Sequence, residues 1–168
     1  MLNKSDIENA LNQLNDALAK KEMKGEVCLY GGAVMCLVYE ARPSTKDVDA
    51  IFYPSDELRK LISQVGQELN IGDQWLNDGV KGFVVEHPRR IYIQKSNLSV
   101  MVPEPDYLLA MKVLAARADT SDAEDVRFLI KKLGLTNPAD VFRILEQYYP
   151  KNRVRPATQF FVEEIFES

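Results

Sequence analysis

The spacing of apolar residues changes along the chain, and the change predicts where helices give way to strands. Between residues 5 and 24, apolar side chains recur every three or four positions, which is the period of an amphipathic helix. The capping sequence Ser5-Asp6-Ile7-Glu8 opens this helix, which we expect to end near Gly25. Residues 27–30 are all apolar and predict a buried strand, and residues 33–40 predict a buried helix.

The rest of the chain continues with short strands and then with helices. A strand that carries Asp47 and Asp49 leads to a helix after Pro54, and residues 90–94 and 98–102 alternate as a hairpin. Helices are then predicted over residues 107–117, from residue 121, after an Asn137 cap, and over residues 159–166. The sequence therefore predicts an α/β (α+β) fold: a small mixed sheet flanked by helices in residues 1–103, and a C-terminal helical subdomain in residues 104–168 packed on it.

The composition limits which kinds of protein the chain can be, but it does not indicate a binding partner. The chain has 168 residues, of which 46% are hydrophobic, so it can bury a core without disulfides. Cys28 and Cys36 lie in apolar runs and predict buried thiols in a reducing compartment. Neither a signal peptide nor a run of about 20 apolar residues is present, so we expect a cytoplasmic protein with no membrane partner. The net charge of −4 gives no global positive field for nucleic acid.

A diglycine turn and an acidic strand supply the first candidate chemistry. Side chains alternate along a strand, so Asp47 and Asp49 would project from one face while Val48 faces the core. Two carboxylates on one face repel each other and favour a counter-ion. Because hard oxygen ligands suit magnesium, we expect Asp47 and Asp49 to bind Mg²⁺ or Mn²⁺ together with substrate phosphates.

The diglycine predicts where those phosphates would lie. Gly31 and Gly32 lack side chains, so phosphate oxygens could approach the backbone where the next helix begins. Thr45 and Lys46 precede the acidic pair, and their hydroxyl and ammonium groups could hold phosphates. Ordinary turn chemistry explains these two residues equally well.

Two later segments also carry polar groups in unusual places. The loop over residues 73–83 contains the only tryptophan, Trp75, and a lysine, Lys81, between glycines, which fits either a wall of a binding site or a loop anchored by one aromatic side chain. The only histidine, His87, precedes a proline and is interpreted as a loop residue. Lys112 is the one charge in an apolar helix, so it either reaches the surface or meets anions.

These residues carry a resemblance to known families. Gly31, Gly32, Asp47 and Asp49 match the signature of the nucleotidyltransferase superfamily that includes DNA polymerase beta, a Gly-Gly or Gly-Ser turn followed by an acidic pair in the next strand. The helix that ends in Lys112 and the Asp-x-x-Asp-Val-Arg helix after it resemble bacterial proteins related to abortive-infection type E toxins and mycobacterial nucleotidyltransferase toxins. Together with the tryptophan loop, they resemble a bacterial nucleotidyltransferase-like family of unknown function over residues 28–150.

The resemblance implies a fold, an activity and a set of site residues. It implies a nucleotidyltransferase fold. It also implies transfer of a nucleoside monophosphate from an NTP to a hydroxyl group of a tRNA-like RNA or of a protein. It further implies a toxin with an antitoxin protein as partner. Asp47 and Asp49 would hold the metal, Gly31 and Gly32 with Thr45, Lys46 and Lys81 would bind the nucleotide, and Lys112 with Asp125 or Asp122 would complete the active site.

One departure from the superfamily pattern keeps a second function open. A third carboxylate often comes from a later strand in these enzymes, and residues 99–102 offer none. Asp125 or Asp122 could replace it as a base or as a metal ligand. The alternative is a catalytically inactive module that keeps the fold and acts through a protein partner.

Overall fold

The structure, a computed structural model, describes residues 1–115 and 120–167 of the chain. Within those ranges the chain forms seven α-helices, a five-stranded mixed sheet and a two-stranded sheet. This architecture confirms the predicted α/β (α+β) class. The chain divides into two compact units, which are described separately: Met1–Phe83 with Arg89–Pro103, and Val84–Pro88 with the residues after Pro103.

The first unit holds all the strands and three helices of the described chain. In chain order its elements are β1 (Leu2–Asn3), α1 (Lys4–Lys20), β2 (Gly25–Tyr30), α2 (Gly31–Leu37), β3 (Ser44–Thr45), β4 (Val48–Tyr53), α3 (Ser55–Glu68), β5 (Leu76–Asn77), β6 (Arg89–Gln94) and β7 (Leu98–Pro103).

The main sheet has β2 at its centre, in the order β5-β4-β2-β7-β6. Strand β2 pairs antiparallel with β4 and parallel with β7, and β4 pairs parallel with β5. Strands β6 and β7 pair antiparallel, so the predicted hairpin is confirmed. The small sheet consists of β1 paired antiparallel with β3. The sequence does not predict it, because strands of two residues are too short to show a period of apolar positions.

The two faces of the main sheet have different neighbours. A Cβ placed on Gly25 would lie 3.1 Å from Leu58 of α3 and 3.2 Å from Leu18 of α1, so this face packs on those two helices. Alternation along β2 puts Tyr30, five residues further on, on the opposite face. Tyr30 is paired with Asp49 of β4, and directly paired residues share a face. Asp49 therefore lies on the face that α1 and α3 do not cover.

Two of the helix boundaries that differ from the sequence prediction have a clear physical cause. Helix α1 starts earlier, because Asn3 accepts a hydrogen bond from the Asp6 backbone N–H while the Asp6 carboxylate accepts one from the Asn3 N–H. The predicted capping box at Ser5 is therefore wrong, and the asparagine provides an equally good cap. Helix α2 ends at Leu37, before Glu40 adopts a left-handed φ of 51° that no helix continues through.

The described part of the second unit consists of the segment Val84–Pro88 and of helices joined by short loops. Its elements are α4 (Pro105–Ala115), α5 (Thr120–Leu133), α6 (Pro138–Tyr148), a short 3-10 helix (Lys151–Arg153) and α7 (Pro156–Glu167). The predicted Asn137 cap of α6 is confirmed, since its side chain accepts from the Asp140 N–H. Residues 116 and 117 of the helix predicted over 107–117 lie outside the described residues.

Across the described ranges we find no helix with the length and apolar character that a membrane crossing requires.

Candidate functional site

The acidic strand and the diglycine turn meet in the first unit. Gly31 has a left-handed φ of 61°, and a Cβ placed on it would lie 3.0 Å from the Asp49 Oδ2. The register that pairs Tyr30 with Asp49 brings this carboxylate beside the turn. Only glycine combines this backbone conformation with room for the carboxylate. The turn and Asp49, which the sequence assigned to one site, therefore lie side by side.

Gly32 leaves room for the Arg42 guanidinium, a cation that is not among the predicted site residues. A Cβ placed on Gly32 would overlap the Arg42 Nη1 and would lie 2.7 Å from the Thr45 Oγ1. The Arg42 guanidinium and the Thr45 hydroxyl thus lie directly above the start of α2. Arg42 is half-buried and Thr45 is buried. The signal that could have found Arg42 is its place as a cation between the diglycine and the acidic pair.

The structure corrects the position of Asp47. Strand β4 begins at Val48, so Asp47 lies in an exposed bend before the strand rather than within it. Its backbone carbonyl accepts a hydrogen bond from the Thr45 hydroxyl at 3.2 Å. The predicted placement of Asp47 within the strand is therefore wrong, whereas the shared face of Asp47 and Asp49 stays a prediction. Val48 itself is fully buried, as predicted, and Lys46 is exposed in the same bend.

The loop over residues 73–83, which contains Trp75, passes beside Asp49. Asn77 of β5 is the register partner of Asp49, and its side chain accepts a hydrogen bond from the Gly79 N–H at 3.1 Å. Trp75 is 1% exposed and its Nε1–H donates to a backbone carbonyl of α3 at 2.8 Å. This tryptophan thus anchors the loop. Lys81 is exposed in the turn that follows, and its predicted contact with nucleotide stays a prediction.

A surface ion pair holds the same loop to α3. The Arg59 guanidinium donates two hydrogen bonds to the Asp78 carboxylate, at 3.0 and 3.2 Å. These bonds hold the pKa of the Asp78 carboxyl below its usual range. The pair fixes the loop where it leaves β5.

The carboxylates present suit a metal ion that arrives with a phosphate substrate. Asp47 and Asp49 supply hard oxygen ligands, and Mg²⁺ in proteins often takes one or two carboxylates and completes its shell with substrate phosphates and water. Among residues 1–115 and 120–167, no group of three His, Cys, Asp or Glu side chains is placed to hold a metal ion. Strand β7 presents Ser99 and Met101 toward the Asp49 side of the sheet, and neither is a metal-binding carboxylate.

The second unit brings together the charged residues predicted on its two first helices. The Lys112 Nζ lies 2.6 Å from the Asp125 Oδ2 and 3.7 Å from the Asp122 Oδ1. Lys112 is 9% exposed and Asp125 is 2% exposed, so the closer pair is buried. Of the two alternatives for Lys112, the structure shows that it meets anions. The catalytic roles of these three residues stay predictions.

An aromatic cluster in the second unit contains the histidine. The His87 ring stacks on Tyr107 with centroids 4.0 Å apart, and His87 Nδ1 lies 2.8 Å from the Pro88 carbonyl oxygen. The Tyr107 hydroxyl accepts from the Val85 N–H and shares a hydrogen bond with the Tyr149 hydroxyl. Burial raises the pKa of Tyr149. His87 lies between regular elements as predicted, but it is 5% exposed, which nothing in its sequence neighbourhood indicated.

The cysteines are free and buried, as the sequence predicted. Burial raises the pKa of both the Cys28 and the Cys36 thiols above the usual range. At neutral pH both are therefore protonated, and neither provides the thiolate that a cysteine nucleophile requires.

Comparison with known proteins assigns the chain to a family. No curated protein and no solved structure matches it. A family model described as "Nucleotidyltransferase of unknown function (DUF6036)" matches residues 5–155, which include both the diglycine turn with Asp49 and the Lys112 cluster. The mixed sheet and its helices are consistent with an α+β nucleotidyltransferase-like fold. The chain therefore belongs to this family of nucleotidyltransferases of unknown function.

Proposed function

We propose that the chain transfers a nucleoside monophosphate from an NTP to a hydroxyl group of an RNA or protein acceptor, with Mg²⁺ or Mn²⁺ as cofactor. The observation that carries the proposal is the Asp49 carboxylate, held 3.0 Å from the position of a Cβ on Gly31. A carboxylate that can bind a metal, next to a turn that also holds a guanidinium and a hydroxyl, is an arrangement that suits a metal-bound triphosphate. Membership of a nucleotidyltransferase family supports the same reaction.

Asp49 and Asp47 are the residues that would hold the metal. A bound Mg²⁺ would neutralise phosphate charge and polarise the phosphorus that is attacked. The register on β4 fixes the backbone of Asp49 beside the diglycine turn. Asp47 lies in the exposed bend and can adjust to complete the metal's ligands.

The cations and hydroxyls around the second glycine would hold the phosphates. Arg42 and Thr45 lie over Gly32, and Lys46 is exposed in the adjacent bend. A guanidinium can donate two parallel hydrogen bonds to one phosphate, which fixes orientation as well as charge. These residues would bind the triphosphate, and the missing side chains of Gly31 and Gly32 let Asp49, Arg42 and Thr45 lie close against the turn.

The Lys112 cluster contributes a second set of roles, assigned from the resemblance. Lys112 would balance phosphate charge, and Asp125 or Asp122 would orient or deprotonate the acceptor hydroxyl. The ion pair at 2.6 Å brings Lys112 to the carboxylates named by the resemblance, and the catalytic roles rest on the resemblance. By the same resemblance we propose a toxin that an antitoxin protein restrains.

A specific observation favours a second candidate, an inactive nucleotidyltransferase-fold module that acts through a protein partner. Strand β7 lacks a carboxylate, and no three-carboxylate cluster occurs in the described part of the chain. Such a module would bind the nucleotide without transferring it.

A transfer assay separates the two candidates. The chain is incubated with each of the four α-³²P-labelled NTPs, with Mg²⁺ or Mn²⁺, and with total RNA or a protein extract as acceptor. Transfer of label that is lost in Asp47→Ala and Asp49→Ala, but kept in the control Asp16→Ala, supports the enzyme. Asp16 is an exposed carboxylate of α1, so this control removes a charge away from the turn. Nucleotide binding without transfer to any acceptor contradicts the enzyme and supports the module.

A further inference from the structure

A cavity of about 410 Å³ lies in the first unit, between α3 and the segment that leads into β5. Its apolar part consists of Phe52 of β4, Ile62 of α3 and Leu76 of β5, which are 5%, 2% and 2% exposed. Phe52 follows Asp49 by three residues on β4, so alternation places the two side chains on opposite faces of the sheet. The cavity is therefore separate from the diglycine turn.

Two charges of opposite sign line this cavity without a partner in the protein. Its charged lining residues are Arg59, Lys60 and Asp73. The Arg59 guanidinium is held by two hydrogen bonds to the Asp78 carboxylate, and it lies 5.3 Å from the centroid of the Phe52 ring. Neither Lys60 nor Asp73 forms an ion pair with another described residue. One ammonium group and one carboxylate thus remain to meet a ligand.

Charged residues outside the lining do not favour an anion. Asp56 acts on Arg59, and Lys81 acts on the Asp78 that Arg59 binds, so these two add one charge of each sign. Glu57 lies one turn before Lys60 on α3 and is exposed, and it does not line the cavity. The surroundings therefore carry no excess of positive charge. A ligand with a carboxylate alone would leave the Asp73 carboxylate facing it unpaired.

The remaining lining residues complete a site for a small amphipathic molecule. The Ser63 hydroxyl and the Gln74 amide each offer both a donor and an acceptor of hydrogen bonds. Binding cavities for small molecules span about 300–1,000 Å³ and combine apolar walls with a few polar groups. This cavity is at the low end of that range, so it suits a molecule much smaller than a nucleotide.

We propose that this cavity binds a small zwitterion, an α-amino acid with an apolar side chain. The Lys60 ammonium group binds the carboxylate of the ligand, and the Asp73 carboxylate binds its ammonium group. The apolar side chain of the ligand covers Phe52, Ile62 and Leu76, which removes apolar surface from water. The site is independent of the transfer reaction, because it lies on the other face of the sheet from Asp49.

Trp75 reports directly on this cavity. It is the only tryptophan of the chain, and its neighbours Gln74 and Leu76 both line the cavity. Its Nε1–H donates to the backbone carbonyl of Ile62, a third lining residue, at 2.8 Å. The indole N–H therefore gives a single NMR signal at the proposed site.

The test is an NMR titration of the ¹⁵N-labelled full chain at pH 7 with three compounds that share one phenyl ring. L-phenylalanine carries both charges, 3-phenylpropionate carries only the carboxylate, and 2-phenylethylamine carries only the ammonium group. We expect L-phenylalanine to shift the Trp75 indole signal saturably. Each of the other two compounds should bind about tenfold more weakly, because it leaves one protein charge unpaired.

Variants of the two charged residues identify which group each one binds. Lys60→Gln should remove the preference for L-phenylalanine over 2-phenylethylamine, and Asp73→Asn should remove its preference over 3-phenylpropionate. The controls are Lys20→Gln and Asp16→Asn, which change exposed charges of α1 outside the lining. Both controls should bind as the unchanged chain does.

Several outcomes would overturn the site. These are an indole signal that does not shift up to the solubility limit of L-phenylalanine, equal affinity for the three compounds, and unchanged preferences in Lys60→Gln and Asp73→Asn. Lys60 and Asp73 are exposed, so both variants should fold, and the same spectra show whether they do. Asp49→Ala should bind L-phenylalanine normally, so a failure of the transferase and a failure of this site are separate results.

Discussion

Replacing Gly31 by alanine tests the contact between the turn and the acidic strand. The backbone at Gly31 has a φ of 61°, in the left-handed region where a residue with a Cβ is strained. The added Cβ would also lie 3.0 Å from the Asp49 Oδ2, whereas ordinary van der Waals contact begins at 3.4–4 Å. The carboxylate must therefore move by a few tenths of an ångström. Gly31→Ala thus combines a backbone cost with a displaced metal ligand.

The two effects have different magnitudes and different readouts. The left-handed backbone costs about 1–2 kcal/mol for a residue with a side chain. For a chain of this size this lowers the melting temperature by about 2–8 °C. A displacement of about 1 Å at a reacting centre can lower the rate about a hundredfold, so a shift of a few tenths of an ångström should lower it severalfold. We therefore expect a modest loss of stability and a severalfold loss of transfer.

Gly134 provides the matched control. It has a nearly identical φ of 68°, and a Cβ placed on it would meet nothing within 4 Å. Gly134→Ala should lower the melting temperature by a similar amount and leave label transfer unchanged. In an Asp49→Asn background, Gly31→Ala should cause no further loss of transfer, because both changes act on one carboxylate. Full transfer by Gly31→Ala, or an equal loss in Gly134→Ala, would refute this reasoning.

Three further predictions concern groups away from the turn. Lys112→Met removes the cation 2.6 Å from the buried Asp125 carboxylate, so it should lower the free energy of unfolding, measured with denaturant, by about 3–5 kcal/mol. Adding Asp125→Leu should recover most of that loss. A loss below about 1 kcal/mol contradicts the buried pair. The pKa of Asp78 is lowered by Arg59, so this pair stabilises the fold above about pH 4 and its contribution is lost as the pH falls through the folded pKa. Arg59→Gln should return that pKa to its usual range in an NMR titration, and an unchanged pKa would exclude the guanidinium as its cause. Trp75→Phe removes the indole N–H that donates to α3, so it should lower the free energy of unfolding by about 1–3 kcal/mol in the same assay. An unchanged free energy of unfolding would show that other contacts alone hold the loop.

The sequence predicts the elements well where the apolar period is sustained. The buried strand β2 and the hairpin of β6 and β7 follow from runs of four or five residues with a clear pattern. The position of Asp47 does not follow, because alternation shows which face a residue takes but not where the strand begins. The cap of α1 at Asn3 was missed for a similar reason, since Asn3 and Ser5 are both good caps.

The candidate site is predictable in its residue types and less so in its geometry. Asp49 beside Gly31 was expected from spacing alone, and the pairing register explains it. Arg42 was missed because its position depends on the left-handed turn at Glu40, which redirects the chain after α2. The Trp75 alternatives could not be resolved because burial of a loop aromatic depends on a partner distant in sequence, here a carbonyl of α3.

The most direct measurement of the central claim is the anomalous scattering of Mn²⁺ in crystals of the chain grown with a non-transferable NTP analogue. The account predicts one strong peak within about 2.2 Å of the Asp49 carboxylate, next to Gly31, with a phosphate oxygen of the analogue as a further ligand. A bound analogue with no Mn²⁺ peak at Asp49, or a peak held by other residues, would contradict it.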